Sequence, residues 1–193
     1  HNRVRRYVLI INNNLVDFKI NTKGALINEA LLKSFKTYDS LPVYLVKGGD
    51  HKFDLEFMTT DGRKLHTQDL IFTPTSSQNG DNEVLSLKAD VGNGGSIEFR
   101  YELQPDDYMV DFNIRSQGLA QAANTSEEVA LTWELQAYRR SKGMDNEGRY
   151  TEIKFEYDGG SDDYTGQGET AEEEAENITY IAYKEHFFSS ILL

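Results

Sequence analysis

The sequence predicts an all-β fold, a large antiparallel β-sandwich with little helix, and three observations support this. Apolar residues recur at every second position in many short segments, as in Val16, Phe18 and Ile20. Successive side chains of a strand point to opposite faces, so this period is typical of a half-buried strand. Turn residues separate the segments at intervals of about 8–12 residues, as in sandwich domains. Apart from a turn or two near residues 169–176, no stretch has a helical period.

Residues 15–32 predict the hairpin around which the rest of the chain is organised. The apolar positions of residues 16–20 alternate with the polar residues Asp17 and Lys19. Residues 21–24 then supply polar turn chemistry, and Gly24 is free to take a positive φ. Residues 25–32 return as an apolar strand.

The remaining elements follow in order from the same period and from turn signals such as Asp61-Gly62. Further strands are predicted at residues 7–11, 41–47, 53–57, 65–72, 84–89, 97–103, 109–115, 129–135, 153–157 and 178–182. Residues 36–40, 73–82, 117–128 and 141–149 are predicted to be loops. The single tryptophan, Trp133, falls on a predicted core face, where packing is favoured over ligand recognition.

Length and charge limit the classes of function. A chain of 193 residues predicts one domain over residues 1–193. The net charge of −12 argues against nucleic-acid binding, and an anionic membrane should also repel the chain unless a local patch reverses the sign. There is no cysteine, which excludes disulfides and thiolate metal sites.

The first residues of the chain indicate a longer parent. The chain begins at His1 without a methionine, so we expect it to be cut from a longer protein. Residues 1–6 form a basic lead-in, which is either a solvated tail or a juxtamembrane anchor.

Residues 158–177 form the most biased segment of the chain, with many carboxylates and no lysine or arginine. Carboxylate oxygens are the ligands that calcium prefers, but the spacing does not fit an EF-hand. We therefore expect a flexible, solvated acidic loop, and no metal or cofactor.

The sequence holds no recognisable catalytic set. His51 follows a Gly-Gly-Asp turn and is expected to be exposed, while His66 falls in a predicted strand. No zinc-protease, nucleophile-elbow, Walker or dinucleotide motif occurs, and nothing selects a His–Glu pair for acid–base work. We therefore predict that the chain is not an enzyme.

The C-terminal segment, residues 180–193 (YIAYKEHFFSSILL), combines a predicted last strand with a dense apolar tail. It is too short to span a bilayer, which needs about 20 apolar residues. It is either a final core strand or a strand that leads into a membrane segment.

This tail resembles the junction at which the periplasmic domain of the YidC membrane protein insertase family enters its transmembrane core, with an aromatic residue followed by A-x-K-x-x-F-F-S-S. Residues 9–24 (LIINNNLVDFKINTKG) are similar to the family's opening strands and T-K-G-G turn, although Ala25 replaces the second glycine. Residues 41–46 and 131–157 resemble later strands, so the resemblance runs end to end. The acidic loop and FFSSILL are similar to the Bacteroidetes branch.

The resemblance implies a β-supersandwich, similar to mutarotase-like domains, at the periplasmic face of the bacterial inner membrane. The parent would be embedded in the membrane and this chain soluble. The domain would be non-catalytic and would dock Sec components (SecD–SecF, SecYEG) or nascent membrane proteins. Candidates for fixing it against the membrane-proximal segment are Phe187, Phe188, Ile191 and Leu192, for which a core role is an equal alternative.

Two other functions stay open from the sequence. One is a carbohydrate-binding or sugar-processing sandwich, which predicts a cleft with exposed aromatic residues and a close pair of His and Glu or Asp. The other is a structural spacer, which predicts that deletion leaves insertion nearly intact.

Overall fold

The computed structural model describes residues 8–166 and 170–193, and it consists mainly of antiparallel strands. The strands in chain order are β1 (Val8–Asn12), β2 (Val16–Asn21), β3 (Ile27–Lys36), β4 (Pro42–Lys47), β5 (His51–Met58), β6 (Lys64–His66), β7 (Thr73–Asn79), β8 (Asn82–Gly92), β9 (Gly95–Leu103), β10 (Val110–Gln117), β11 (Ala130–Leu135), β12 (Glu152–Tyr157), β13 (Ser161–Thr165), β14 (Ile178–Lys184) and β15 (Ser189–Leu192). A 3-10 helix (Thr67–Asp69) and two short helices, α1 (Leu119–Ala122) and α2 (Met144–Gly148), complete the described elements. The prediction of an all-β fold with little helix is confirmed.

The chain divides into two compact units. The first comprises residues up to Ser34 together with Val46–Gln136, and the second comprises Phe35–Leu45 together with Ala137–Leu193. The division therefore falls inside β3 and β4. That residues 1–193 form one domain stays a prediction, and the basic lead-in at residues 1–6 lies outside the described residues.

The first unit contains the predicted hairpin. Val16, Phe18 and Ile20 of β2 are buried, and β2 pairs with β3 in the register Phe18↔Ala30. The turn needs glycine at position 24, where φ is +75° and an added Cβ would lie 3.1 Å from the backbone of Gln68. The strand order of this sheet is β1-β2-β3-β4.

Two further sheets hold the core of the first unit, with strand orders β10-β9-β8-β7 and β11-β5-β6. Phe99 of β9 has no exposed surface and lies at the centre of an aromatic cluster. Its ring centroid lies 5.1 Å from that of Phe72, 5.4 Å from that of Phe112 and 6.1 Å from that of Phe53. The strands that alternate most clearly in the sequence therefore build this core.

Two predictions in the first unit are wrong. The strand expected over residues 65–72 ends at His66, because the Thr67 hydroxyl accepts the Leu55 N–H and turns the chain into the 3-10 helix. The loop expected over residues 73–82 contains β7, a polar edge strand paired along its length with β8. Trp133 is half-buried on β11, at the edge of a three-stranded sheet, and its role in packing stays a prediction.

The second unit contains the sheet β13-β12-β14-β15. The expectation that residues 158–177 form a flexible loop is wrong in part. β13 lies within this segment and pairs with β12, with Asp162 opposite Glu156. The ammonium group of Lys154 on β12 lies 2.7 Å from the Asp162 carboxylate. Cross-strand lysine thus offsets part of the repulsion that the acidic composition suggests. Residues 167–169 of the predicted loop lie outside the described residues.

A carboxylate on β9 gives this fold a defined acid sensitivity. Asn82 and Asn79 each donate a side-chain hydrogen bond of 2.8 Å to Glu102, and the Arg100 guanidinium lies 2.6 Å from its second oxygen. These hydrogen bonds, led by that of Asn82, lower the pKa of Glu102 to about 2. In the unfolded chain a glutamate has a pKa of about 4.3. Because the pKa is lower in the folded state, ionised Glu102 stabilises the fold fully above this value, and its contribution to the free energy of unfolding is lost as the pH falls toward about 2.

We therefore expect Glu102→Gln to flatten the fall in melting temperature between about pH 4.3 and about pH 2. At neutral pH the variant should melt earlier, because the amide loses the charge-assisted hydrogen bonds. Thermal denaturation of both proteins from pH 2 to 7 checks this. Parallel curves over the acid range would show that Glu102 is not the responsible group.

Candidate functional site

The C-terminal residues singled out by sequence lie on two faces rather than one. Phe187 is 55% exposed and Ile191 is 46% exposed, whereas Phe188 and Leu192 are half-buried. Phe187 and Phe188 lie in the turn between β14 and β15, which the Glu185 N–H closes by donating to the Phe188 carbonyl over 2.8 Å. One pair therefore packs inward while the other pair remains available for contact. Their predicted role at the junction stays a prediction.

Phe188 packs on a buried arginine. Arg140 is 5% exposed, and its guanidinium lies 5.4 Å from the Phe188 ring centroid, in cation–π geometry. It forms an ion pair with Glu185 and donates a hydrogen bond of 2.9 Å to the Tyr44 carbonyl. The Phe35 ring completes the pocket, edge-on to Phe188 at 5.1 Å. One arginine thus joins β4, the tail and the segment that precedes α2.

The backbone at Arg140 is fixed by a second carboxylate. Glu147 of α2 accepts hydrogen bonds from the Arg140 N–H at 2.9 Å and from the Ser141 N–H at 2.9 Å. Burial alone would raise the pKa of Glu147, but the hydrogen bonds from Ser141 and Arg140 outweigh it and the pKa is lowered. Burial lowers the pKa of Arg140. Backbone hydrogen bonds therefore account for the burial of Glu147, and the ion pair with Glu185 accounts for that of Arg140.

Exposed aromatic residues continue outward from this arginine. His186 is stacked on Phe187, with ring centroids 4.3 Å apart. The ring centroid of Tyr150 lies 4.6 Å from that of His186. Tyr150 is 49% exposed. On the other side, the exposed Arg139 guanidinium lies 5.0 Å from the ring centroid of the exposed Tyr38. These contacts place aromatic and cationic side chains together on the surface of the second unit.

The first unit contains a histidine–carboxylate pair that the sequence did not identify. Nδ1 of His66 lies 2.7 Å from Oδ2 of Asp54, and Nε2 lies 3.5 Å from Glu56. Asp54 is 4% exposed, and its other oxygen accepts hydrogen bonds from Thr67 and from the Gln68 N–H. The buried carboxylate therefore stabilises the turn after β6. Only the half-exposed His66 and Glu56 are accessible for a ligand.

His51 differs from its predicted exposure. It is half-buried, its Nδ1 atom is inaccessible to solvent, and burial lowers its pKa. The histidine begins β5 and lines a groove of about 360 Å³ together with Lys52 and Glu134. Burial therefore disfavours the charged form of this ring.

Among residues 8–166 and 170–193, no group of three His, Asp or Glu side chains is placed to hold a metal ion. Across the same ranges, no helix has the length and apolar character that a membrane crossing requires.

Sequence reasoning missed the two buried charged residues that organise these clusters, Arg140 and Asp54. Neither lies in a motif. Asp54 falls on the polar face of an alternating strand, where solvent exposure is the normal outcome. Arg140 is one of two adjacent arginines, and only its neighbour Arg139 is exposed. The alternation of apolar and polar residues gives no signal for either, because it places both Asp54 and Arg140 on the polar face.

Comparison with known proteins is consistent with the resemblance at the tail. The family model of the YidC periplasmic domain matches residues 9–193. Curated proteins named membrane protein insertase YidC are similar to the chain. That of Phocaeicola vulgatus is 32% identical over 188 residues, which cover 95% of this chain and 29% of the relative. That of Porphyromonas gingivalis is 31% identical over 185 residues, covering 94% and 29%. That of Parabacteroides distasonis is 30% identical over 185 residues, covering 95% of this chain and 29% of the relative.

The chain spans less than a third of the length of these relatives. Because the family model covers nearly the whole chain, the chain belongs to the family of YidC periplasmic domains.

Proposed function

We propose that the chain is a non-catalytic docking domain of a membrane protein insertase, located at the periplasmic face of the bacterial inner membrane. Its relatives carry the name insertase, and the family is that of a periplasmic domain. The observation that supports the docking role is the exposed edge strand β10. This strand has eight residues, forms one end of its sheet and is exposed over most of its length.

An exposed edge strand is a template for strand addition, because its outward N–H and C=O groups can pair with an extended segment. β10 contains no proline that would block such pairing, and Ile114 offers an exposed apolar side chain. The exposed Tyr108 and Met109 precede the strand and extend the apolar contact. The partner would be an extended segment of a Sec component (SecD–SecF or SecYEG) or of a nascent membrane protein.

The C-terminal residues have a separate part in this proposal. Phe188 and Leu192 hold the tail to the second unit, while Phe187 and Ile191 face the membrane-proximal part of the parent protein. The split follows from their burial, since only the second pair offers a large exposed side chain.

Photocrosslinking in cells tests the docking role. A photoreactive residue in place of the exposed Asn113 of β10, in the full-length parent, is expected to crosslink to a Sec component or to a nascent chain. Ile114→Lys should reduce the yield several-fold, since lysine on an edge strand opposes pairing. Ile10→Lys on β1 is the matched control, because β1 is also an edge strand and Ile10 is also exposed.

Two results would contradict the proposal. Crosslinks that are equally strong in the Ile114→Lys variant would exclude β10 as the docking edge. If deletion of residues 9–193 left both Sec association and insertion unchanged, the domain would be a spacer.

The second candidate is a carbohydrate-binding sandwich, and the close pair of His66 and Asp54 favours it. Glu56, next to this pair, lines a groove of about 510 Å³ with Lys64 and Glu127. The burial of Asp54 weighs against it, because a buried carboxylate cannot receive a sugar hydroxyl. A glycan-binding screen of the chain and of the His66→Ala variant separates the two functions. Specific glycan binding that is lost in the variant would support the carbohydrate-binding function.

A further inference from the structure

The edge strand β10 carries opposite charges at equal distances from its middle. Asp111 and Arg115 are both exposed, and they lie two residues before and two residues after Asn113. Within residues 8–166 and 170–193, neither side chain forms an ion pair. The two charges cancel within the strand, although the chain as a whole has a net charge of −12. The strand itself therefore adds nothing to the repulsion between two copies of the chain.

The opposite face of β10 is apolar and incompletely covered. The Phe112 ring centroid lies 5.4 Å from those of Phe53 and Phe99, so this side chain faces the core, yet it is only half-buried. Ile114 follows on the same face and has 41% of its surface exposed. Because these core-facing side chains remain accessible, adding another strand to this edge would bury apolar surface.

Two β10 strands can pair antiparallel about a twofold axis with both faces matched. Opposing positions must lie on the same face, since otherwise a core-facing side chain would meet a solvent-facing one. With Asn113 on the axis, Asp111 opposes Arg115 of the second copy. In the same register, Phe112 opposes Ile114 of the second copy. The symmetry repeats each contact, so the interface contains two pairs of opposite charge and two apolar pairs.

The neighbouring registers match less well. With Ile114 on the axis, Asp111 would oppose Gln117 and gain no cation. In that register Phe112 would oppose Ser116 and gain no apolar partner. An axis nearer to either end of β10 pairs fewer of its residues. Both the charges and the apolar side chains therefore favour the register that is centred on Asn113.

We propose that two copies of the chain associate through β10, by antiparallel strand addition with Asn113 on the twofold axis. The sheet β10-β9-β8-β7 of each copy would continue into that of the other, which closes an exposed edge. Opposite charges and apolar side chains that face each other across two strands stabilise their pairing. The occupant is a second copy because the strand complements itself under the symmetry. This pairing does not depend on the docking role. Only the competition between a second copy and a docking partner for the same edge rests on the proposed function.

Charge exchange on β10 tests the proposal. Sedimentation velocity of the 193-residue chain is expected to show dimers whose fraction rises with concentration. Arg115→Asp alone, or Asp111→Arg alone, should weaken the dimer by about tenfold or more, since two favourable pairs become two repulsive ones. The chain with both substitutions has the net charge of the original and restores both pairs, so it should dimerise again. A mixture of the two single variants should associate for the same reason. Thermal melts verify that each variant is folded.

Thiol crosslinking tests the register. The chain contains no cysteine, so Asn113→Cys and Gln117→Cys each introduce a single thiol on the same face of β10. In the proposed dimer the two thiols at position 113 face each other. The two thiols at position 117 are eight residues apart along the strands, or about 26 Å at about 3.3 Å per residue. A short bifunctional thiol reagent should therefore link two copies of the Asn113→Cys variant and leave the Gln117→Cys variant largely unlinked.

Three outcomes would overturn the proposal. The first is a chain that stays monomeric at all concentrations up to the millimolar range. The second is a double variant that associates as poorly as the single ones, which would place any dimer on another surface. The third is equal crosslinking at positions 113 and 117. None of these results bears on photocrosslinking to a Sec component or nascent chain in cells. Dimers that form without such crosslinks would contradict the docking role alone.

Discussion

Replacing Arg140 by alanine is expected to destabilise the second unit by about 3–5 kcal/mol, because removing one member of a buried ion pair leaves the other charge without compensation. The alanine removes the contact with Glu185, the hydrogen bond to the Tyr44 carbonyl and the cation–π contact with Phe188. Urea denaturation followed by circular dichroism measures the loss. Hydrogen exchange should show it first in β14 and β15, which the Glu185–Phe188 turn connects.

Two variants control for this effect. Arg139→Ala removes an exposed cation–π contact and two exposed hydrogen bonds, to the carbonyls of Ser141 and Lys142, and should cost far less than Arg140→Ala because all of these contacts are exposed to solvent. Arg140→Met combined with Glu185→Leu removes both charges and should recover most of the stability lost in Arg140→Ala. A loss below about 1 kcal/mol in Arg140→Ala would show that the guanidinium does not anchor the tail.

Replacing Phe99 by alanine is expected to destabilise the first unit by about 3–5 kcal/mol, through lost burial and the cavity that remains. Phe99 is fully buried and its ring contacts Phe53, Phe72 and Phe112. Phe53 belongs to β5, Phe112 to β10 and Phe72 to the segment before β7, so the site cannot collapse without moving several elements. Chemical denaturation measures the change in the free energy of unfolding.

Phe99→Leu controls for cavity size and should cost less than half as much as Phe99→Ala. The pair Phe99→Ala and Arg140→Ala also tests the prediction of a single domain. Loss of amide protection confined to the unit that carries each substitution would show that the two units unfold separately. Loss throughout the chain in both variants would support one cooperative domain.

Strands with one solvent-exposed face and one buried face were predictable from the sequence. Ile97, Phe99 and Tyr101 alternate with charged residues, and the structure buries all three in β9. The period is a direct consequence of strand geometry, so it survives without knowledge of the neighbouring strands. The same holds for β2, whose buried residues are those of the predicted hairpin.

Polar strands were not predictable in this way. β7 and β13 consist largely of Ser, Thr, Asn and Asp, which single-sequence reasoning assigns to loops. Each becomes a strand because a neighbour supplies the ladder, β8 for the first and β12 for the second. Propensity in strands depends on pairing partners, and partners distant in sequence are not visible in a local pattern.

The candidate site was predictable in position but not in arrangement. The sequence predicts one role for the tail, whereas Phe187 and Phe188 lie in the turn between β14 and β15, which exposes the first ring and half-buries the second. The arginine beneath Phe188 is distant in sequence and has no motif. Its burial depends on Glu185 and Glu147 together, which is a property of tertiary packing.

The discontinuity of the second unit has a consequence for the order in which the chain is made. Its first segment, Phe35–Leu45, is followed in sequence by Val46–Gln136, which belong to the other unit, before Ala137–Leu193 begin. Chains emerge from the ribosome N-terminus first at about 5–20 residues per second, and domains generally fold as units. All of the first unit is therefore synthesised before the contact between Arg140 and the Tyr44 carbonyl can form. The aromatic tail therefore receives its anchor only after every residue of the first unit has been synthesised.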